Sequence, residues 1–454
     1  MKKILILGAG QSSPFLIKYL LERAEEFDGF ITVGDLDVDL ARQRIGEHHR
    51  GNAIFFDMKD TLLLATEVKN ADLVVNFMPP KFQPLIAWEC IQHGRSMVSV
   101  SYRNQELRDL GTDARRKGII LLPEMGLDPG IDVMTAAEII DRVRSKGGVI
   151  ESFESYGGGL PAPGESVNPM NYVVTWNPRN VVMAAEEGAQ YLLDGKVKIL
   201  PWHAVFNRSW PVDVRGIGTM EGYPNRDSLS YRDLFGLDAA QTMIRGTLRY
   251  PGWSETWGQL VKLGIPNEHL RIPELGQRCF REIVEMFLPR SAAGTTIEAR
   301  VANFLGISPT GSIMQKLSWL GLFSEEKLGI EGTTAASALV HLIRDKLALP
   351  EGGRDMVIIQ HTMDVCYPSE GRRRERITST FTSEGEAGGT TAMARSVGMP
   401  AAIAVKFILT EQIPLTGSHI PTHPAIYRPV LDELRAEGFC FREDVEELPA
   451  KPVV

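Results

Sequence analysis

The sequence predicts an α/β protein with three parts: an N-terminal domain built on a parallel sheet, a second α+β domain and an inserted all-α domain. Over the first 125 residues, short apolar runs alternate with helical patterns. From Gly126 onward, β-like segments are interrupted by glycine and proline, and residues 252–349 follow a mostly helical pattern. A chain of 454 residues is long enough for two or three domains, each with its own core.

In the N-terminal domain, a stretch long enough for a crossover helix separates each apolar run from the next, which is typical of a parallel sheet. The spacing predicts a doubly wound domain over residues 1–125. The runs are Ile4–Leu7, Ile31–Val33, Ala53–Phe56, Leu73–Val75, Met97–Val100 and Ile119–Leu122.

The segment Gly8–Pro14 joins the first run to the amphipathic helix Phe15–Arg23, with Ser13 where the usual fingerprint has a third glycine. Its glycines let backbone N–H groups approach a pyrophosphate at a helix N-terminus, where the helix dipole favours negative charge. An ordinary strand-to-helix turn is the alternative. Because further α/β units follow, we expect a Rossmann domain that binds a dinucleotide. The two glycines of this turn are Gly8 and Gly10.

An acidic pair ends the second strand, at Asp35 and Asp37 on either side of Leu36. An acid at this distance from the glycines accepts hydrogen bonds from the ribose hydroxyls of NAD and repels the 2′-phosphate of NADP. The sequence therefore favours NAD, with NADP as the weaker candidate. Capping of the next helix is the other role open to Asp37 or Asp39; we assign the cap to Asp37 and the ribose to Asp35.

Three later loops lie at predicted strand ends, at Asn76–Pro80, Ser99–Tyr102 and Glu124–Gly130. Ligands of open α/β sheets bind outside the carboxyl ends of the strands, so these loops should face the nicotinamide. Asp128 has two equal interpretations, as a site residue or as the N-cap of the helix that starts at Ile131.

The remaining chain predicts a helix at Ile131–Arg144, a hairpin formed by Asp355–Cys366 and Arg376–Thr382, a long helix at Thr390–Leu409 and a polar tail from Glu443. The helical patterns of the insertion are Ser254–Leu263, Gln277–Phe287, Thr296–Phe304, Ile313–Leu320 and Thr333–Leu347.

Composition excludes several classes of protein. The net charge of −8 and the absence of a long basic block argue against nucleic-acid and membrane partners. Four cysteines far apart, with no apolar run long enough for a signal peptide or a membrane span, predict a cytoplasmic protein. No metal site is expected, because prolines around His419 and His423 prevent the helix that would pair them. No Ser-His-Asp order or phosphate-binding GxxxxGK occurs, so hydrolases and kinases are excluded.

Four motifs in order along the chain resemble the glutamate-forming saccharopine dehydrogenases, also called the saccharopine reductase family. With Thr391–Ala394 and Ala404–Phe407 the resemblance covers nearly the whole chain. The motifs are Gly126–Asp132, Ser155–Pro163, Gly222–Ser228 and Arg245–Tyr250.

The resemblance implies a homodimeric enzyme of lysine metabolism that cleaves saccharopine oxidatively to L-glutamate and 2-aminoadipate 6-semialdehyde, or catalyses the reverse reductive condensation. It implies that saccharopine binds between the Rossmann domain and a second domain that also forms the dimer. The implied boundaries are 1–125, completed by about 390–454, for the Rossmann domain, 126–251 with 350–389 for the second domain, and 252–349 for the helical insertion.

The resemblance also implies two sets of site residues. Saccharopine should contact Ser101, Tyr102, Asp128, Arg226, Thr247, Leu248 and Arg249. The dinucleotide should contact Gly8, Gly10, Gln11, Ser12, Ser13, Asp35, Leu36, Asp37, Asp57, Met78, Ser99, Ser101, Leu127, Asp128, Pro129 and Thr175.

The chemistry of these residues agrees with a substrate that carries three carboxylates. Arg226 and Arg249 each offer a planar fork for a carboxylate, with a structural ion pair as the alternative and Arg245 as a third candidate. Tyr102 and Asp128 are the titratable groups expected to move protons. Gly157 stands where many family members have a cysteine, which leaves the identity of the proton donor open.

Two other functions fit parts of the sequence. A related reductive-amination enzyme such as carboxynorspermidine dehydrogenase would use the same chemistry on a different substrate. A non-catalytic dinucleotide-binding protein would keep the fold alone, since fold does not determine activity.

Overall fold

A computed structural model describes residues 1–165 and 168–449. In chain order the strands are β1 Lys2–Leu7, β2 Gly29–Asp35, β3 Gly51–Phe55, β4 Leu73–Asn76, β5 Ser96–Ser99, β6 Ile120–Leu122, β7 Val149–Pro161, β8 Ala189–Leu193, β9 Lys196–Leu200, β10 Trp210–Val214, β11 Gly218–Pro224, β12 Arg226–Asp227, β13 Thr242–Arg249, β14 Asp355–Tyr367, β15 Arg373–Glu384, β16 Gly417–Ser418 and β17 Phe441–Leu448.

The helices are α1 Pro14–Glu22, α2 Val38–Ile45, α3 Thr61–Asn70, α4 Gln83–His93, α5 Gln105–Asp109, α6 Gly111–Arg116, α7 Ile131–Ser145, α8 Pro178–Val182, α9 Leu229–Phe235, α10 Trp253–Leu263, α11 Phe280–Phe287, α12 Ile297–Leu305, α13 Ser312–Leu320, α14 Ala335–Lys346, α15 Ala392–Leu409 and α16 Pro424–Ala436.

The chain divides into two compact units. Among the described residues, unit 1 comprises 1–149, 367–373 and 381–442, and unit 2 comprises 150–165, 168–366, 374–380 and 443–449. Helix α7 and its preceding loop therefore belong to unit 1, whereas the sequence predicts that the second domain starts at residue 126. The division of the chain into a Rossmann domain, a substrate domain and a helical insertion stays a prediction.

Unit 1 is built on a seven-stranded sheet in the order β16-β6-β5-β4-β1-β2-β3, and every neighbouring pair is parallel. Strand β1 lies between β2 and β4, so the order reverses beside it. This reversal creates the crevice at the carboxyl edge where dinucleotides bind in doubly wound sheets. The predicted α/β fold with an N-terminal parallel sheet is confirmed.

Helix α15 completes the core of unit 1 by packing against α1. A side chain on Gly398 would come within 2.8 Å of the backbone nitrogen of Leu16, so the absence of a side chain there permits the close approach. By length and apolar composition α15 could cross a membrane, yet 72 % of that stretch is buried inside the structure. Its apolar character is that of a core helix.

Unit 2 contains a ten-stranded mixed sheet whose central path runs β10-β11-β13-β7-β14-β15-β17. Strand β13 is antiparallel to β11 and parallel to β7, with Glu221 opposite Arg249 and Gly246 opposite Tyr156. A side chain at Gly246 would lie 2.7 Å from the Tyr156 ring, so this glycine lets the ring cover β13.

The helices α10 to α14 share one hydrophobic cluster with the sheet of unit 2. Trp257, Phe280 and Leu339 belong to the same cluster as Tyr156 and Leu248. The segment predicted as an insertion is thus part of the core of unit 2, because its amphipathic helices bury their apolar faces against the sheet.

The structure differs from the sequence prediction at the C-terminus. Residues expected to form a polar tail instead form strand β17, which pairs with β15 at the edge of the sheet. Most β17 side chains are exposed, so the segment lacks the apolar alternation that reveals a half-buried strand. Its backbone hydrogen bonds with the neighbouring strand stabilise it in its place.

Candidate active site

The loop after β1 has the backbone geometry of a phosphate-binding turn. Gly8 has a φ of +106°, and a Cβ there would lie 3.2 Å from the carbonyl carbon of Phe77. Gly10 is exposed, and a Cβ on it would meet no atom within 4 Å. The first glycine therefore permits the turn, and the second leaves open space where a phosphate can approach the backbone.

Ser13 replaces the third fingerprint glycine and closes this loop. Its side chain is buried, and its hydroxyl donates a hydrogen bond of 3.0 Å to the carbonyl oxygen of Gly10. Pro14 begins α1, and no acidic residue lies in the first helical turn. No side chain of this first turn therefore offsets the positive end of the helix dipole, and an anionic ligand can bind there favourably.

Asp35, at the end of β2, holds the glycine loop. One carboxylate oxygen accepts the N–H of Ala9 at 2.7 Å, and the other accepts the N–H of Asp37 at 2.9 Å. A carboxylate has about four acceptor positions, so Asp35 still has capacity for ribose hydroxyls. The Asp37 side chain accepts the N–H of Leu40 and caps α2, which confirms its predicted role as the cap. Leu36 between them is 59 % exposed.

A buried polar network organises the ends of β4 and β5. The Ser99 hydroxyl donates to the side-chain oxygen of Gln83, and the Gln83 amide donates to the carbonyl of Tyr102 at 2.9 Å. The Asn76 carboxamide oxygen accepts the N–H of Met78 at 2.9 Å, and the Ser99 hydroxyl accepts the N–H of Ser101 at 3.3 Å. The loops that follow these strands are therefore held by side chains fully enclosed beneath them.

Tyr102 and Asp128 meet at this edge of the sheet. The Tyr102 hydroxyl donates a 2.7 Å hydrogen bond to a carboxylate oxygen of Asp128, and both side chains are half-buried. A phenol bonded to a carboxylate can pass a proton through one short contact. The structure thus brings together the two residues that the sequence selected for proton transfer.

The loop that presents Asp128 is built around glycines. Gly130 has a φ of +150° and serves as the N-cap of α7, and the carboxylate of Asp132 accepts its N–H at 2.7 Å. The alternative role of Asp128 as the helix cap is therefore wrong. Leu127 and Pro129 on either side of it are buried, and the bond between Asp128 and Pro129 is cis.

Two further predicted cofactor residues also lie in unit 1. Asp57 follows β3 and accepts the N–H of Lys59 at 2.9 Å, which fixes the turn before α3. Met78 is half-buried in the loop after β4. Both positions follow parallel strands at the edge that carries the glycine loop.

In unit 2, Arg249 ends strand β13 and is only 4 % exposed. Its guanidinium donates to the carbonyl of Leu248 at 2.7 Å and lies over the ring of Tyr172, with 4.7 Å from Cζ to the ring centroid. Thr247, two residues earlier on the same face of the strand, is half-buried, and Leu248 on the other face is fully buried.

Arg226 differs from Arg249 in both exposure and backbone conformation. Its side chain is 43 % exposed, with Nε 3.7 Å from a carboxylate oxygen of Glu187, and its φ is +51°. A left-handed conformation is costly for a residue with a long side chain, and such residues cluster at functional sites.

Thr175, predicted to lie near the nicotinamide, belongs to unit 2, where its hydroxyl is buried and has no hydrogen-bond partner among the described residues.

No group of three potential metal ligands occurs among the residues that the structure describes. His423 caps α16 by accepting the N–H of Ala425, and His419 contacts the carbonyl of Thr416 at 2.9 Å. The two histidines therefore have structural contacts.

Sequence reasoning missed the residues that support the site from behind. Gln83 is the first residue of α4, and no local pattern marks it as the partner of Ser99. Glu221 accepts the N–H groups of Gly252 and Ser254 at the start of α10, a contact between residues more than thirty positions apart.

The chain matches two family models, described as the saccharopine dehydrogenase NADP binding domain over residues 4–122 and the saccharopine dehydrogenase C-terminal domain over residues 126–439. It is 32 % identical over 440 residues to the saccharopine dehydrogenase (NADP(+), L-glutamate-forming) of Saccharomyces cerevisiae, covering 96 % of this chain and 97 % of that one.

The chain is also 33 % identical over 445 residues to the mitochondrial alpha-aminoadipic semialdehyde synthase of Bos taurus. This match covers 97 % of the chain but 47 % of the relative, so the chain spans about half the length of that relative. Among solved structures, the apo saccharopine dehydrogenase (L-Glu forming) from Saccharomyces cerevisiae matches with a TM-score of 0.85 and 31 % identity, covering 98 % of this chain and all of that one. A parallel sheet with a glycine loop, a second mixed sheet and similarity along the whole chain lead to one conclusion: the chain belongs to the saccharopine dehydrogenase family.

Proposed function

We propose that this protein oxidises saccharopine with a nicotinamide dinucleotide, in lysine metabolism, and releases L-glutamate and 2-aminoadipate 6-semialdehyde, or runs the reverse condensation. The observation that carries the proposal is the Tyr102–Asp128 hydrogen bond at the carboxyl edge of a dinucleotide-binding sheet. Similarity to a yeast protein named as L-glutamate-forming, along 97 % of that protein, supports the choice of substrate.

The dinucleotide supplies a hydride acceptor when it is bound. Saccharopine loses a hydride from the carbon that joins its secondary nitrogen on the aminoadipate side, and a proton from that nitrogen. These losses convert the secondary amine to an imine. Water then adds to the imine carbon, and cleavage of that C–N bond gives glutamate and the semialdehyde. Asp128 accepts a proton through the Tyr102 hydroxyl, and returns it to the departing amine nitrogen.

Substrate contacts divide between polar loops and fixed cations. We propose that Ser101, Tyr102 and Asp128 contact the reacting nitrogen and its neighbouring groups. Arg226 and Arg249 bind carboxylates of saccharopine, because a planar guanidinium matches a carboxylate with two parallel hydrogen bonds. Thr247 and Leu248 lie on the strand that ends in Arg249 and form the adjoining wall.

We propose NAD as the preferred dinucleotide, although the yeast relative is named for NADP(+). The support is Asp35, whose carboxylate ends β2 and adjoins the glycine loop through the N–H of Ala9. A negative charge there attracts the 2′-hydroxyl of NAD as an acceptor and repels the 2′-phosphate of NADP.

We further propose that the protein acts as a homodimer in the cytoplasm and contacts neither nucleic acid nor membrane. The four cysteines are free, and Cys90, Cys279 and Cys366 are buried, which agrees with a reducing compartment. Gel filtration with light scattering measures the dimer directly, and a monomer across micromolar concentrations would contradict it.

A two-cofactor assay tests the activity. Purified protein is mixed with saccharopine and either NAD or NADP, and absorbance of the reduced dinucleotide is followed from about pH 6 to 10. We expect formation of the reduced dinucleotide, faster with NAD, and formation of glutamate in equal amount. Absence of both products with either cofactor would refute the activity.

The Asp128→Asn variant tests the role of Asp128 as a base, because asparagine has nearly the same size but cannot accept the proton. We expect kcat to fall about 100-fold, in the range ordinary for loss of a general base. If the protein acts on a substrate of the carboxynorspermidine type and not on saccharopine, it is instead the related reductive-amination enzyme.

A further inference from the structure

Arg249 is a buried cation that lacks a carboxylate partner. Within residues 1–165 and 168–449, no Asp or Glu forms an ion pair with it, and its Nε is buried without an acceptor. Its one side-chain hydrogen bond goes to the carbonyl oxygen of Leu248. Arginine stays protonated in proteins, so burial of this charge is costly unless other groups compensate for it.

Three aromatic rings surround the guanidinium. The ring centroids of Tyr172, Trp253 and Tyr223 lie 4.7, 5.7 and 5.9 Å from its Cζ atom. The face of an aromatic ring attracts a cation but, unlike a carboxylate, it does not occupy the in-plane N–H donors. The rings therefore stabilise the charge without occupying the in-plane N–H donors.

The rings themselves are fixed by packing. Trp253 stacks on Trp257 with a centroid distance of 4.6 Å and an angle of 14°, and Tyr172 packs against Trp253 at 4.4 Å. The backbone of Tyr172 is held by Asn168, whose amide donates to the Tyr172 carbonyl at 2.6 Å. The cage of Tyr172, Tyr223 and Trp253 is thus ordered before any ligand arrives.

Glu221 is the carboxylate that lies opposite Arg249 in the sheet register. Its two oxygens accept the N–H of Gly252 at 2.8 Å and the N–H of Ser254 at 2.9 Å. A carboxylate at a helix N-terminus is favourable, and here it fixes the first turn of α10, which carries Trp253. The same two hydrogen bonds keep its charge from neutralising Arg249.

We infer that Tyr172, Tyr223, Trp253 and Glu221 form a positioning set that holds Arg249 unpaired, so that its partner is a carboxylate brought by the substrate. The inference rests on the proposed function and deepens it by assigning specificity. A substrate must present a planar anion to this guanidinium. An analogue that carries a neutral amide in place of this carboxylate leaves the buried charge of Arg249 without a counter-charge, and so binds more weakly.

A double-mutant cycle between Trp253 and Arg249 tests this inference. The KM for saccharopine is measured, at saturating dinucleotide, for Trp253→Leu, Arg249→Met and the double variant. If Trp253 acts through Arg249, Trp253→Leu raises the KM about tenfold in the wild-type background and less than about twofold in the Arg249→Met background. The KM for the dinucleotide should not change by more than about twofold in any of the three.

Trp319→Leu is the matched control, because Trp319 is a half-buried residue of the same unit that lies under the Lys346 cation at 6.0 Å. We expect no change in the KM for saccharopine in this variant. Trp253→Phe should restore most of the affinity, because it keeps a ring over the guanidinium. If Trp253→Leu fails to fold by circular dichroism, the same cycle is run with Tyr172→Leu.

The two hypotheses fail in different ways. A wild-type protein that does not turn over saccharopine refutes the proposed function, and the inference fails with it. If the wild-type protein is active but the Trp253→Leu and Arg249→Met effects on the KM for saccharopine are additive, the positioning role is refuted. The proposed function is then unaffected.

Discussion

The two units are prepared for a ligand by opposite means. At the glycine loop of unit 1, the ligand-facing groups are backbone N–H donors at the start of α1, and the nearby Asp35 carboxylate is already hydrogen-bonded to Ala9 and Asp37. In unit 2, Arg249 carries a full charge with buried donors left open. Partial charges on a backbone need no counter-ion, whereas a buried full charge needs a fixed surrounding to hold it.

The two regions should be damaged by different changes. A site shaped by the backbone fails when a side chain is added where none fits. A site shaped by a buried charge fails when the charge, or the groups that orient it, are removed.

The largest effect is expected for Gly130→Ala in unit 1. The added Cβ would lie 2.0 Å from the carbonyl oxygen of Gly126, a backbone atom that cannot rotate away. We expect a loss of about 4 kcal/mol in the free energy of unfolding, the upper range for single substitutions, with loss of dinucleotide binding. Urea denaturation and a dinucleotide titration measure both.

Gly94→Ala is the control for this variant, since Gly94 also has a positive φ, of +65°, but has open space around its Cβ position. It should cost only about 1 kcal/mol, the penalty of a left-handed conformation by itself. Equal losses in the two variants would mean that contact with Gly126 is unimportant.

The second prediction compares the two cations of unit 2. Arg249→Met should raise the KM for saccharopine about 100-fold, because charge interactions strengthen where water is excluded. Arg226→Ala should raise it only about tenfold, since that side chain is 43 % exposed and screened by solvent. Steady-state kinetics at saturating dinucleotide give both values, and the reverse order would refute the assignment of Arg249 as the buried anchor.

The third prediction concerns the acid beside the glycine loop. Asp35→Ser removes the charge and keeps a hydroxyl, so the ratio of kcat/KM for NAD over that for NADP should fall about tenfold. Asp60→Ser is the control, because serine also caps helices and Asp60 caps α3 by accepting the N–H of Leu63. An unchanged ratio in Asp35→Ser would remove Asp35 from cofactor selection.

The smallest effect is expected for Tyr156→Phe in the sheet of unit 2. The Tyr156 hydroxyl donates to Glu154 at 2.7 Å and accepts from the Trp210 indole at 2.9 Å. Loss of these bonds should cost about 1 kcal/mol in the free energy of unfolding at neutral pH.

The same variant has a predicted pH dependence. Burial, reinforced by the Glu154 charge, raises the pKa of Tyr156 well above its ordinary value. The unfolded tyrosine ionises near pH 10 while the folded one stays protonated, so this contribution is full below that pH and is lost as pH rises above it. The stability of wild type should therefore fall more steeply above about pH 10 than that of Tyr156→Phe, and equal slopes in denaturation curves would contradict the buried environment.

Much of unit 1 could be predicted from the sequence, because its signals are local. Strands β1 to β6 each contain a short apolar run, and the site loops of unit 1 follow the ends of these runs. The glycine loop and the Asp37 cap involve residues within a few positions of one another. Such contacts depend on backbone geometry that a few neighbouring residues determine.

The second unit was harder to predict because its structure depends on contacts between residues far apart in the sequence. Strand β17 lacks an apolar alternation, and the helices predicted as a separate insertion share the core of the sheet. Even in unit 1, the role of Asp128 as a cap or a site residue could not be chosen from sequence alone, since Tyr102 is 26 positions away.

The sequence by itself determined the alternation of strands and helices over residues 1–125, the glycine loop and the identity of the charged residues available to a site. Only the tertiary structure decided which of these residues meet. Glu221 caps α10 and leaves Arg249 unpaired because the register of β11 on β13 and the start of α10 bring Gly252 and Ser254 to its oxygens. Contacts of this kind depend on the three-dimensional approach of distant segments, which no spacing along a single chain records.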